Sequence, residues 1–82
     1  MTPFATIEAA KQALPDIAAK KKETLFITYR RYGRREDVEY YVCTRGELVG
    51  GDETSEFVLF RYRSGSIEQI NEIKPLQYEQ LD

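Results

Sequence analysis

The N-terminal part of the chain repeats apolar residues at spacings of three and four. This stripe consists of Phe4, Ile7, Ala10, Leu14 and Ile17. Such spacing is typical of an amphipathic helix that buries one face, and it predicts a helix over residues 6–21. Pro15 has no backbone N–H and disfavours helical geometry in the preceding residue. We therefore expect the helix to break near Leu14.

The apolar period then changes to two over two β-rich runs, residues 24–32 and 38–44. The alternation predicts two antiparallel strands joined as a hairpin, with residues 33–37 as the turn and the arginines at its tip. Tyr40 and Tyr41 are adjacent and must point to opposite faces of the sheet. At least one of them should therefore lie away from the face that the helix covers.

The second half of the chain contains one strong strand pattern. Residues 56–63 are apolar on both faces at their centre, which predicts an inner strand. Residues 47–49 are expected to form a short strand before it, and the glycine-rich residues 50–55 are expected to form a loop.

The segment that begins at Ser66 fits two structures. Ser66 followed by Gln69 matches a capping box, which predicts a short helix ending at Pro75. The isoleucines on one face of this helix are Ile67, Ile70 and Ile73. Isoleucine also favours strands, so a strand is the alternative. Residues 77–82 have too few apolar residues to predict order.

Together these elements predict a single α+β domain over residues 1–76. We expect the N-terminal helix, broken near Pro15, to pack on a three- to four-stranded antiparallel sheet, followed by the short C-terminal helix. A chain of 82 residues can build one modest core but has no room for a deep substrate cavity. No apolar run is long enough to cross a bilayer and no signal-peptide pattern opens the chain, so we expect a cytoplasmic protein without membrane contact.

The residue types that most often carry catalysis are scarce. Histidine, the commonest general base and metal ligand, is absent, and cysteine occurs once. Cys43 lies within a predicted strand with no visible base, which favours a small buried hydrophobe over a nucleophile. We therefore expect a protein that is not an enzyme and that takes no cofactor, metal or small-molecule substrate.

Charge is distributed unevenly along the chain. Residues 1–45 carry nine Lys/Arg and six Asp/Glu, whereas residues 46–82 carry three and eight, which gives a net charge of −2. Residues 29–35, the Arg/Tyr segment, contain four arginines and two tyrosines. Arginine is always ionised, binds carboxylate or phosphate with two parallel hydrogen bonds, and stacks on aromatic rings. The candidate partner-binding residues are Arg30, Arg31, Tyr32, Arg34 and Arg35, with Tyr40 or Tyr41 as an anchor.

Three interpretations of the Arg/Tyr segment remain open. It could be a solvated turn that acidic residues across the hairpin, such as Glu39, partly neutralise. It could contact an acidic protein surface, since arginine and tyrosine are enriched at interface hot spots. It could bind single-stranded nucleic acid through phosphate contacts and stacking, although the acidic net charge disfavours this. A structural subunit of a larger assembly would instead leave an apolar sheet face uncovered.

An alanine-rich opening, Thr2-Pro3-Phe4-Ala5-Thr6-Ile7-Glu8-Ala9-Ala10, precedes the compact Arg/Tyr-rich β region. In this the chain resembles the small non-enzymatic proteins that lytic phages make to take over the host, in particular transcription regulators that bind bacterial RNA polymerase. The resemblance implies inhibition or modulation of transcription by protein contact in the host cytoplasm. The resemblance assigns no functional role to individual residues of this chain. Other phage anti-host proteins share this appearance and are the alternative.

Overall fold

The computed structural model describes residues 3–31, 38–49 and 57–70. The elements in chain order are α1 (Ile7–Lys21), β1 (Leu25–Arg31), β2 (Val38–Thr44), α2 (Arg45–Val49), β3 (Phe57–Arg63) and β4 (Ser66–Gln69). The strands form an antiparallel sheet in the order β2-β1-β3-β4, and α1 packs on one face of it. This confirms the predicted α+β fold. Neither helix in the described part of the chain is long and apolar enough to span a membrane.

Helix α1 is capped by Thr6 and continues without a break through Pro15. The Thr6 Oγ1 accepts a hydrogen bond from the Ala9 N–H at 3.2 Å, which makes Thr6 the N-cap. Pro15 lies inside the continuous helix, so the predicted break near Leu14 is wrong. Pro15 is exposed, and the Lys11 carbonyl that loses its donor therefore lies where water can reach it. The fully buried Leu14 holds this part of the helix on the sheet.

The sheet has an apolar cluster on each face. The helix-side cluster contains Ala10, Leu14, Leu25, Ile27 and Val42, with partly buried neighbours that include Phe60 and Tyr62. The cluster on the other face contains Phe26, Cys43 and Val58, with Ile70 packed against it. Cys43 is 1% exposed, which confirms its predicted burial.

An extra residue in β3 lets that strand contribute to both clusters. Ile27 pairs with Phe60 and Thr28 pairs with Val58, so Leu59 has no counterpart on β1 and forms a β-bulge. Because side chains alternate along a strand, the extra residue turns Val58 and Phe60 to opposite faces. The prediction of an inner strand here is confirmed, since β3 lies between β1 and β4.

Residues 47–49 belong to α2, so the strand predicted there is wrong. Thr44 and Glu47 cap this helix reciprocally. The Glu47 N–H donates to the Thr44 Oγ1 at 3.3 Å, and the Thr44 N–H donates to the Glu47 Oε1 at 2.6 Å. The Lys21 Nζ lies 3.7 Å from the Glu47 Oε2 and ties α2 to the end of α1. Two reciprocal hydrogen bonds thus outweigh the strand preference of two apolar residues.

The helix predicted from Ser66 is wrong for the residues that the structure describes, because Ser66–Gln69 form β4. Ser64 and Gly65 have φ values of 54° and 78°, the left-handed values required by a tight two-residue hairpin turn. The turn aligns β4 with β3, and pairing across the hairpin overrides the local helical pattern. The remainder of the predicted helix and the tail, 77–82, lie outside the described residues.

We expect Pro15→Ala to stabilise the protein by about 1–3 kcal/mol, because alanine restores a backbone donor within α1 and removes the ring clash. Urea unfolding measures the effect. The matched control is Asp16→Ala, an exposed neighbour, which should change the free energy of unfolding by no more than about 0.5 kcal/mol. A Pro15→Ala protein less stable than the wild type would contradict the prediction.

We expect Glu47→Ala to destabilise α2 by about 1 kcal/mol, because the Thr44 N–H loses its acceptor. Amide exchange in residues 45–49 should accelerate accordingly. Glu47→Gln is the control, since an amide oxygen still accepts this bond although the attraction to Lys21 is lost. Equal acceleration in the two variants would show that the ion pair, rather than the cap, holds the helix.

Candidate functional site

The Arg/Tyr segment begins in the last residues of β1, and the structure describes part of it. Arg30 and Arg31 end the strand, whereas the candidate residues Tyr32, Arg34 and Arg35 lie outside the described residues. Arg30 is half-buried and pairs directly across the ladder with Glu39. Opposite charges in this cross-strand position attract. Neutralisation across the hairpin therefore has a geometric basis at Arg30.

Tyr40 and Tyr41 point to opposite faces of the sheet, as predicted. Tyr40 is half-buried against the helix-side cluster and pairs across the ladder with Tyr29. Tyr41 is 7% exposed on the other face, and its hydroxyl donates to the Glu39 Oε1 at 3.0 Å. Both rings thus serve the fold over much of their surface. Their role as contact anchors stays a prediction, and Tyr40 offers more surface for it than Tyr41.

The outer edge of β2 is bridged at Tyr40 by the N-terminal segment. The Phe4 N–H donates to the Tyr40 carbonyl at 2.7 Å, and the Tyr40 N–H donates to the Phe4 carbonyl at 2.9 Å. The Phe4 side chain packs against the helix-side cluster. The backbone of Tyr40 is therefore occupied on this edge, and only its side chain is left for further contacts there.

A second surface lies between α1 and the β3–β4 hairpin. Helix α1 packs over β1 and β2, which leaves a groove of about 500 Å³ beside β3. Its lining includes Pro15, Ala18, Lys22, Tyr62, Ser64 and Gly65. We call it the α1–β3 groove. The sequence contains a signal for it, because Lys11, Pro15, Ala18 and Lys22 repeat at spacings of three and four, but only the tertiary structure brings this stripe beside Tyr62.

The α1–β3 groove has two cations in its lining, Lys22 and Arg63, and Lys11 lies about one helical turn before the lining residue Pro15. The Lys11 Nζ lies 4.1 Å from the centre of the Phe60 ring, a cation–π contact. Lys22 caps α1 in the left-handed conformation, with φ of 56°, and its N–H donates to the Ala18 carbonyl at 2.8 Å. The two lysines are about 16 Å apart along the helix axis. Glu23 also lines the groove and is the acidic residue among the lining side chains.

The opposite face of the β3–β4 hairpin carries an ion pair between Arg61 and Glu68. The Arg61 Nε donates to the Glu68 Oε1 at 2.8 Å, and the Arg61 Nη2 contacts the same oxygen. The hydrogen bond and then the charge of Arg61 hold the pKa of Glu68 below its usual value, and the charge of Arg63 adds to this. Arg61 is therefore engaged on the face away from the groove, whereas Arg63 also belongs to the groove lining, together with Lys22.

Within the described ranges, no three His, Cys, Asp or Glu side chains come together as metal ligands would. Comparison with protein-family models, curated proteins and solved structures finds no match to this chain. The molecule thus has two candidate surfaces, the hairpin end, where Arg30 and Arg31 end β1, and the α1–β3 groove.

We expect Arg61→Met to raise the pKa of Glu68 toward its ordinary value, because both the hydrogen bond and the charge that lower it are removed. A carboxyl-carbon NMR titration measures this pKa. In the wild type the folded-state pKa lies below the unfolded value. The pair therefore stabilises β4 above the unfolded pKa, and this stabilisation is lost as the pH falls through the folded pKa.

The control for this titration is Arg63→Met, which should raise the pKa of Glu68 by a smaller amount. Protection factors of the β4 amides, in which the intrinsic pH dependence of exchange is removed, should fall at acidic pH in the wild type and should lose this pH dependence in Arg61→Met. A Glu68 pKa that is unchanged in Arg61→Met would contradict the assignment of the ion pair.

Proposed function

We propose that this chain is a small non-enzymatic protein-binding regulator that contacts bacterial RNA polymerase and modulates transcription. The observation that supports it most directly is the placement of Arg30 and Arg31 at the end of a strand that is hydrogen-bonded on both edges. Residues 25–28 of that strand are at most 1% exposed. Because β1 is held in place in this way, less conformational entropy is lost when the end of the strand binds a partner.

The described tyrosines favour a protein partner over nucleic acid. Single-stranded nucleic acid is bound by stacking bases on exposed aromatic faces. Tyr41 is 7% exposed and Tyr40 is half-buried against the helix-side cluster, so the two rings leave little open surface for stacking. Glu39 opposite Arg30 also reduces the positive potential that phosphates require, whereas a mixed protein interface tolerates both signs of charge.

The choice of polymerase as the partner comes from the resemblance to small lytic-phage transcription regulators. Such a regulator acts by occupying a surface of the enzyme, which requires neither a catalytic group nor a cofactor in the regulator itself. The unequal charge of the two halves of the chain suits this role, because it presents a basic hairpin on a protein of net charge −2.

The test is recovery of RNA polymerase subunits on the immobilised protein from nuclease-treated bacterial lysate, followed by affinity measurement with purified polymerase. Replacing Arg34 and Arg35 with alanine should weaken the affinity by about tenfold or more, as expected for arginines at an interface hot spot. The control that replaces both with lysine keeps the charge and loses the guanidinium. Lys20→Ala, on an exposed position of α1, should leave the affinity within about twofold.

Two results would overturn the proposal. Unchanged affinity in the double-alanine variant would exclude the hairpin as the interface. Recovery of polymerase only before nuclease treatment, with an affinity that falls steeply with salt, would assign the hairpin to nucleic acid instead, because phosphate contacts release counterions.

A further inference from the structure

We infer that the α1–β3 groove is a docking site for an acidic peptide segment of a partner protein, with an apolar side chain among its carboxylates. The groove is separate from the hairpin end, and the inference does not depend on the proposed function. It rests on two properties of the described residues, a partly exposed apolar floor and cations along the α1 side.

Tyr62 lies in the groove lining, and an apolar strip continues from it to Ile67 on the helix side of the β3–β4 hairpin. Tyr62 is half-buried and pairs across the ladder with Ile67, so the two side chains share a face of the sheet. Ile67 is 42% exposed, a large hydrophobic side chain left in water beside Tyr62. Pro15 and Ala18 form the facing wall. An apolar side chain of a partner would remove this surface from water.

The charges around the groove favour an anionic occupant. Lys22 and Arg63 are exposed cations of the lining, whereas Glu23 is the acidic side chain there. Lys11 lies over Phe60, about one helical turn before the lining residue Pro15. The C-terminal end of a helix dipole contributes about half a negative charge, which is less than these lysines supply. The groove therefore complements carboxylates that flank an apolar side chain.

The same residues favour a peptide over nucleic acid. Tyr62, the aromatic residue in the lining, is half-buried, and Ile67 beside it is aliphatic, so the floor offers little open aromatic surface on which a base would stack. Arg61 is bound to Glu68 on the opposite face of the sheet, so it is directed away from a phosphate in the groove. Aliphatic contact combined with lysine charge fits a carboxylate-bearing peptide.

The test is a titration of the isotope-labelled full chain with a blocked synthetic peptide of alternating aspartate and leucine, monitored by amide chemical shifts. We expect saturable shifts centred on Lys22, Tyr62 and Ile67. Lys22→Glu should weaken binding about fivefold or more. Lys20→Glu makes the same charge change outside the groove lining and should weaken binding by no more than about twofold.

Ile67→Ser provides a second variant that keeps every charge and should weaken binding by about threefold or more through lost apolar contact. A peptide with serine in place of leucine should lose a similar factor with the wild-type protein, which tests the same contact without altering the fold. The variant with alanine at Arg34 and Arg35 should bind the probe like the wild type, so failure of this inference is distinguishable from failure of the proposed function.

Four outcomes would overturn the inference. Equal weakening by Lys20→Glu and Lys22→Glu would indicate unspecific attraction between opposite charges. Shifts centred outside the groove, or no saturable shift, would exclude it as the site. Binding of an oligothymidine as tight as that of the peptide would assign the surface to nucleic acid.

Discussion

Burial of β1 on both faces is the constraint on which the other elements depend. Four consecutive residues of this strand, Leu25–Thr28, are at most 1% exposed. Buried backbone groups must find hydrogen-bond partners within the protein, so β1 needs a strand on each edge, which β2 and β3 supply. Its side chains also need apolar neighbours on both sides. Helix α1 provides them on one face, and Val58 provides them on the other because the bulge at Leu59 reverses the direction of the side chains.

Elements with a long, regular pattern were predictable from the sequence, because burial of one face alone decides them. The stripe from Phe4 to Ile17 and the alternation in β1 and β2 are of this kind. Two short segments were predicted wrongly, and both contain a Ser/Thr-x-x-Glu/Gln capping pattern. Ser66 and Gln69 carry it without a helix, since the turn at Ser64 and Gly65 commits them to a hairpin. Thr44 and Glu47 have the same pattern directly after a strand, and there the reciprocal hydrogen bonds cap α2.

The candidate surfaces differ in how much of each the sequence reveals. The Arg/Tyr segment is visible in composition alone, because its residues are consecutive. That Glu39 stands opposite Arg30, and that Tyr41 is almost wholly buried, depends on the register and packing of the sheet. The α1–β3 groove unites Lys22 and Tyr62, which are far apart in the chain. No local pattern reports that α1 lies over β1 and β2 and leaves the β3 side of the sheet open.

The backbone hydrogen bonds between Phe4 and Tyr40 cover part of the exposed edge of the sheet, at which two copies of the molecule could otherwise pair. An edge strand whose backbone groups are free is a template for pairing with another copy, and β2 is such an edge. Phe4 occupies the Tyr40 backbone, and Pro3 before it has no N–H with which to extend the ladder. Pro3 and Phe4 therefore protect this edge of the sheet at Tyr40. A chain shortened to begin at α1 would keep most of its core, lose this protection and become more prone to edge-to-edge association.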